Sequence, residues 1–269
     1  NQVWSITLGY WFTTTQDHRL TDAELGEYFE GDMVLSSAQL RSIQNADIER
    51  NGLRNNSKRW PNRTVVYHIP FCRLFIELLL RLTLNMCNVW IFIQKYTCLL
   101  FRPAVFSKSM MIDGTGSENG CYSNVGLNID EHESGEEEEE TRQVLNLAKG
   151  CFKHGTVVHE MLHTLGFYHM QSTYDRDDFV EIVWENIKSG VEHNFAKYTV
   201  DTVTDFGVQY DYDSVMHYPE TAFTKNGNKT IIPLKENVKI GQRKGLSERD
   251  ILKLNKMYCE DDESISYMV

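Results

Sequence analysis

Apolar residues recur at Val157, Val158, Met161, Leu162 and Leu165, covering most of a helical circumference, and they predict a buried helix over residues 155–165. The remaining wall of that helix holds His159 and His163, four positions apart and so about one turn apart on the same face. Glu160 points about 100° round the helix from His159. Gly166 ends the run, because glycine takes the left-handed conformation that turns a chain back. Residues 64–69 read as a strand, and 143–147 as a shorter one. The stretch 71–101 is unusually apolar, but Arg73, Glu77, Arg81 and Asn85 lay a polar stripe at every fourth position. An amphipathic helix is expected there, followed by a short strand at 89–93. No membrane span is expected, since one needs about 20 uninterrupted apolar residues. Residues 184–198 read as helical and 205–212 as irregular. Ser247 to Asp250 is a capping box opening a terminal helix whose Ile251, Leu252, Leu254 and Tyr258 should pack inward. Residues 13–59 are polar, with an amphipathic patch at 36–48 and little from which to build a core.

Two imidazoles one turn apart form a metal clip, and the turn at Gly166 brings His169 round as a third nitrogen ligand. Three neutral imidazoles with room for water describe a zinc site left open for chemistry. Glu160, off the ligand face, can take a proton from water without competing for the ion, so it reads as a base and not a ligand. H-E-x-x-H alone arises by chance on many helices. With Gly166 and His169 both in register, H-E-x-x-H-x-x-G-x-x-H is far more specific. Farther on, S-V-M-H-Y at 214–218 places Met216 as a soft apolar floor beneath the histidines. Tyr218 there offers a phenol that could coordinate the metal at rest and swing to stabilise an oxyanion.

Composition narrows the setting. The 269 residues, 41% hydrophobic and 24% charged, suit one large globular domain or a domain with a short extra segment. A net charge of −11 argues against a nucleic-acid surface, which needs clustered Lys and Arg. Eight carboxylates crowd into residues 130–140 and read as a solvated loop, because no alternating calcium-loop pattern accompanies them. Six cysteines, at 72, 87, 98, 121, 151 and 259, permit three disulfides without fixing their pairing. Glycosylation sequons at Asn55, Asn62 and Asn228 agree with an oxidising, secretory route. The chain opens on Asn1 without Met, residues 3–12 are at most the remnant of a signal peptide, and more chain is expected at that end. Arg50, Arg54, Lys58 and Arg59 offer trypsin- or furin-like cleavage points, the layout of a pro-segment followed by a mature domain.

These motifs, with D-R-D-D-F-V at 175–180 and I-G-Q-R-K-G-L-S at 240–247, closely resemble the astacin family of zinc metalloendopeptidases, a branch of the metzincins, over residues 29–259. The resemblance implies an α+β fold. Its N-terminal lobe would hold a twisted mixed sheet and two long helices, and its C-terminal lobe would be mostly irregular with a terminal helix. It implies His159, His163 and His169 as ligands of one Zn2+, Glu160 as general base and acid, Met216 as the Met-turn and Tyr218 as a switchable fifth ligand. F-E-G-D at 29–32 is implied to be an aspartate switch, Asp32 taking the water position on zinc in the latent form. Residues 1–50 would then be the pro-segment, 51–259 the catalytic domain and 260–269 a tail. An activating trypsin-like protease would cut at Arg50–Asn51, with Arg54 and Arg59 as other choices. The implied disulfides join Cys98 to Cys259 and Cys121 to Cys151, leaving Cys72 and Cys87 over.

The chain departs from the family's pattern in three places. Met170 stands where the family commonly has a Glu that anchors the mature N-terminus, and residues 71–92 are more apolar than the family's helix. The acidic run lies beside the strand expected to pair with substrate and should repel acidic peptides. Arg243 is a candidate for selecting acidic side chains. The expected function is a secreted, monomeric zinc endopeptidase acting on protein or peptide substrates and made as a zymogen; the alternative is a catalytically silent secreted module of the same fold.

Overall fold

The structure, a computed structural model, describes residues 26, 28–44, 52–53, 56–68, 76–103, 111–115, 119–127, 142–148, 150–198 and 203–260. In chain order the regular elements are β1 (Met33–Val34), α1 (Ser37–Gln44), β2 (Gly52–Leu53), β3 (Thr64–His68), α2 (Ile76–Tyr96), β4 (Leu100–Pro103), β5 (Met111–Thr115), β6 (Cys121–Asn124), β7 (Arg142–Leu147), α3 (His154–Thr164), β8 (Val180–Ile182), β9 (Val203–Thr204), β10 (Ile231–Pro233) and α4 (Glu248–Tyr258). Six strands make one mixed sheet in the order β1-β6-β7-β5-β3-β4. Its pairs run parallel except β6 against β7. After α3 the chain is mostly turns and short 3₁₀ pieces with two small antiparallel ribbons, β8 with β10 and β2 with β9, until α4. This is the α+β layout expected: sheet and two longer helices first, irregular chain and a terminal helix last.

The buried helix α3 sits against β6, β7 and α2. Every residue from Gly155 to Thr164 is buried. Its end closes as a Schellman turn, Gly166 N–H donating to His163 O (2.8 Å) and Phe167 N–H to Leu162 O (2.9 Å), with Gly166 at φ +99°. A Cβ at 166 would meet only the ends of the Leu53 and Met257 side chains, so it is the conformation more than the space that demands glycine. Two carbonyls at the helix end are also claimed: Trp60 Nε1–H donates to Thr164 O and the Tyr258 hydroxyl to Leu165 O, each at 2.9 Å. Both disulfides form as expected. Cys98–Cys259 ties the end of α2 to the end of α4, and Cys121–Cys151 ties β6 to the entry of α3. Cys87 is free, and Cys72 lies outside the described residues.

Several local expectations give way. The strand at 89–93 does not exist, because those residues continue α2 to Tyr96. Met86, Val89, Trp90 and Ile93 are all buried at i, i+3, i+4, i+7 spacing while Ile91 is 67% exposed, so a helical face wins over β-branched propensity. Residues 184–198 hold two 3₁₀ turns, Trp184–Asn186 and Glu192–Phe195, and no α-helix. Their backbone is drawn sideways, Val183 N–H donating to Thr230 O and Lys188 N–H to Phe223 O. In α4 Leu254 is buried, but Leu252 is 43% exposed and Lys253 and Met257 take the inner face. Residues 13–59, expected to offer little from which to build a core, supply Met33 and Leu53 to it among the described residues. Among the described residues no helix is long and apolar enough to cross a membrane.

Candidate metal centre

Three stretches of chain meet at one buried point. Helix α3 brings His159 and His163, the turn at Gly166 returns His169, and the N-terminal segment before β1 brings Asp32; all four are buried, as is Glu160 on α3. The N-terminal segment folds back on itself, Gly31 N–H donating to Tyr28 O (2.9 Å) and Met33 N–H to Phe29 O (3.0 Å). It then docks on the free side of β6, where Ser123 N–H donates to Asp32 O (2.9 Å) and β1 extends the sheet. Glu30 sits at φ +48°, a region that non-glycine residues enter only when their surroundings hold them there.

Each imidazole has one nitrogen claimed from behind. Nδ1 of His159 lies 2.8 Å from Val215 O, Nδ1 of His163 2.7 Å from Phe167 O, and Nδ1 of His169 2.7 Å from Glu30 Oε2. A carbonyl can only accept, so Nδ1 of His159 and of His163 must carry the proton. The Glu30 carboxylate sets the same tautomer for His169. The three Nε2 atoms therefore present lone pairs toward one another and toward the Asp32 carboxylate. Nε2 of His159 is 3.2 Å from that of His169 and 3.1 Å from Asp32 Oδ2, while Asp32 Oδ1 is 3.2 Å from His169 Nε2 and 3.4 Å from His163 Nε2.

This donor set fits a zinc ion. The four atoms lie within 4.8 Å of one another. Tetrahedral bonds of about 2.0–2.1 Å put ligand atoms about 3.3 Å apart, close to the separations found. Asp32 Oδ1 and His163 Nε2 are buried without a hydrogen-bond partner among the described residues, which a shared cation would explain. The charges agree. Burial, then the nearby Arg243 cation, holds His159 well below its ordinary pKa, and burial also lowers His163, so both stay neutral. His169 is pushed the other way against burial, to about 9, by the Asp32 and Glu30 carboxylates. A divalent ion at the convergence point would supply the positive charge those carboxylates call for.

The outer ring of partners was less visible in sequence. Glu30 also accepts from Ser172 Oγ (2.8 Å), and its backbone carbonyl takes the Tyr218 hydroxyl. Burial, then the Glu30 and Asp32 charges, keeps that phenol protonated. Met216 is wholly buried, and its carbonyl accepts from Met170 N–H (3.0 Å). Met170 itself lies in the core, with Lys253 Nζ 3.4 Å from its sulfur. Arg243 does not face a cleft: it is 2% exposed and its Nη1 donates to backbone carbonyls, so it is not placed to select acidic side chains. Asn62 and Asn228 are exposed, whereas Asn55, the Arg50–Asn51 junction, Arg54 and the acidic run lie outside the described residues.

His217, next to Met216, is buried between two partners: its Nδ1 donates to Tyr218 O (2.8 Å) and its Nε2 accepts from the Tyr210 hydroxyl (2.7 Å). Burial, reinforced by the Arg243 and His169 charges, takes its pKa down to about 3. The folded value is below the unfolded one, so this group's contribution is complete above pH 6.5 and is lost as pH falls toward 3. Between pH 6.5 and 5 it should remove about 2 kcal/mol. His217→Gln, measured by denaturant unfolding at both pH values, is expected to lose that much less; an unchanged loss would mean that another group dominates.

Comparison with known proteins adds a family. A family model described as Astacin, a peptidase family, matches residues 52–259. Zinc metalloproteinase nas-13 of Caenorhabditis elegans is 35% identical over 86% of this chain and 50% of its own length, and nas-4 of the same organism is 32% identical over 88% and 70%. Seminal metalloprotease 1 of Drosophila melanogaster is 36% identical over 97% of this chain and 98% of its own. The chain thus spans about half the length of nas-13 but nearly all of the Drosophila protein. Among solved structures, high choriolytic enzyme 1 of Oryzias latipes, a hatching enzyme zinc-protease, superposes with a TM-score of 0.64 at 29% identity, covering 77% of this chain and 98% of that one.

Proposed function

This chain belongs to the astacin family of peptidases, and from that premise we propose that it is a secreted zinc metalloendopeptidase held latent by its own N-terminal segment. The observation that carries this reading is the convergence of three Nε2 lone pairs, with Glu160 buried on the same helix as two of them. His159, His163 and His169 would hold the zinc, with Asp32 as the fourth ligand of the latent form. The ion, when bound, supplies a Lewis acid that polarises water and the scissile carbonyl. Glu160 takes the proton from the attacking water and returns it to the leaving amine. Tyr218 donates its hydroxyl to the developing oxyanion. In the latent form that hydroxyl is engaged by the Glu30 carbonyl, so one segment would block the metal through Asp32 and the phenol through Glu30.

Cleavage by a trypsin-like protease at Arg50–Asn51 would release residues 1–50 and leave residues 51–259 as the active, monomeric domain with the 260–269 tail; Arg54 and Arg59 are the other choices. The side of β6 now covered by β1 would become free to pair with an extended protein or peptide substrate. The two disulfides and the exposed sequons Asn62 and Asn228 support a secretory route. A catalytically silent module is the poorer reading, because such a module has no need of an intact ligand set with its base beside it. Casein or gelatin digestion should begin after trypsin treatment and stop with a chelator. Trypsin-treated protein that contains zinc yet cleaves nothing would overturn the proposal.

A further inference from the structure

The strand of backbone at 214–218 is gripped at one residue from both sides. Val215 N–H donates to Asp250 Oδ2 (3.0 Å), and the same carboxylate accepts from Ser214 Oγ (2.6 Å) and Ser247 N–H (3.0 Å). Val215 C=O faces the other way and accepts twice. It takes the Nδ1 proton of His159 at 2.8 Å and Arg243 Nη1 at 2.9 Å. That guanidinium nitrogen also reaches His217 O (3.2 Å) and Gln242 O (3.0 Å). Arg243 is 2% exposed and Asp250 4%, so these are charge-assisted bonds away from water, where such bonds are strong and their loss is expensive.

The backbone of Arg243 is registered to α3 as well. At Gly155, in the first turn of α3, an added Cβ would sit 1.9 Å from Arg243 O, so the two chains touch as closely as glycine allows. The helix that carries His159 and the turn that carries Met216 and Tyr218 are therefore both referenced to one residue, α3 through its main chain and the turn through its side chain.

We propose that Arg243 is a positioning residue for the metal site: by holding the Val215 carbonyl, it fixes the tautomer and direction of His159 and the spacing of α3 from the 214–218 turn. A carbonyl has two lone pairs, and with one fixed by a rigid planar fork the other has a set direction for His159. Lysine cannot reproduce this, because a single ammonium on a flexible stem does not span the same carbonyls in a fixed plane. The proposal rests on the zinc reading above, and its test reads metal binding apart from proteolysis.

Zinc affinity of the full chain is measured by competition against a chromogenic chelator, and kcat and KM on a fluorogenic peptide after trypsin, for the wild type, Arg243→Lys and Arg243→Gln, each checked for folding by near-ultraviolet circular dichroism. Folded variants should bind zinc about 10- to 100-fold more weakly, with kcat reduced and KM changed by less than about twofold. A role confined to packing would lower the melting temperature and leave zinc affinity and kcat per folded molecule within about twofold, which would overturn the proposal. Should neither variant fold, the zinc-loaded wild type decides by nitrogen-15 spectroscopy. A slowly exchanging Arg243 Nη1 proton that shifts together with the His159 Nδ1 proton when zinc is removed supports the proposal, and a rapidly exchanging or unmoved Nη1 proton overturns it. A wild type that takes up no zinc would defeat both readings, whereas normal zinc uptake with unaffected variants defeats this one alone.

Discussion

Replacing Glu160 with Gln is expected to leave the chain folded and its zinc content at one per chain while peptide cleavage falls about 10³- to 10⁴-fold. The amide is nearly isosteric, so the buried surroundings of residue 160 are kept. It can neither accept the proton of the attacking water nor hand one to the leaving amine, and positioned proton transfer contributes about 10²- to 10⁴-fold. Because one side chain serves both transfers, the loss should lie at the upper end. The ligand atoms are untouched: residue 160 points about 100° round α3 from His159. Metal analysis together with kcat/KM on a fluorogenic peptide separates the two effects. A variant that cleaves at the wild-type rate would remove Glu160 from the chemistry, and one that loses zinc would make it part of the binding site.

The second large effect concerns latency. Asp32→Ala should raise the activity of the uncleaved chain by about 10- to 10³-fold, seen with a serine-protease inhibitor present so that accidental activation is excluded. Asp32 is 1% exposed, and its two oxygens lie 3.1–3.4 Å from all three Nε2 atoms. Burial alone would raise its pKa, yet the histidine partners hold it well below the ordinary carboxylate range, the mark of an anion stabilised by its site. Removing one side of such a buried charged contact costs about 2–5 kcal/mol. The release should be incomplete. Glu30 still holds His169 and Ser172, its carbonyl still engages Tyr218, and β1 still covers β6. Trypsin should therefore add further activity to the variant, while a variant as silent as the wild type before trypsin would show that Asp32 is not the latch.

Much of the centre could be read from local spacing. His159 and His163 share a face because α-helical geometry repeats every 3.6 residues, and Gly166 ends that helix because of the conformation its φ of +99° requires. Asp32 and the disulfide pairs came from resemblance and not from spacing, which left several pairings open. The misreadings have a common cause. A short apolar run such as 89–93 satisfies a strand template as well as a helical one, and what decided it was which side chains met the core. Leu252 is apolar and so suits an inward position, yet the helical phase set by Leu254 and Met257 turns it out.

The amino-acid order by itself determined the helix carrying His159 and His163, the carboxylate at its side, the turn that returns the third imidazole and the capping box that opens α4, since each depends on residues within a few positions of one another. Tertiary structure alone decided what stands behind those imidazoles. Glu30 lies 139 residues from His169, Val215 56 from His159, Arg243 28 from Val215, and Asp250 35 from it, and no periodicity reaches across such separations. A hydrogen bond has a direction as well as a partner, so which nitrogen of each ring keeps its lone pair was settled when the folded chain brought carbonyls and carboxylates to their backs.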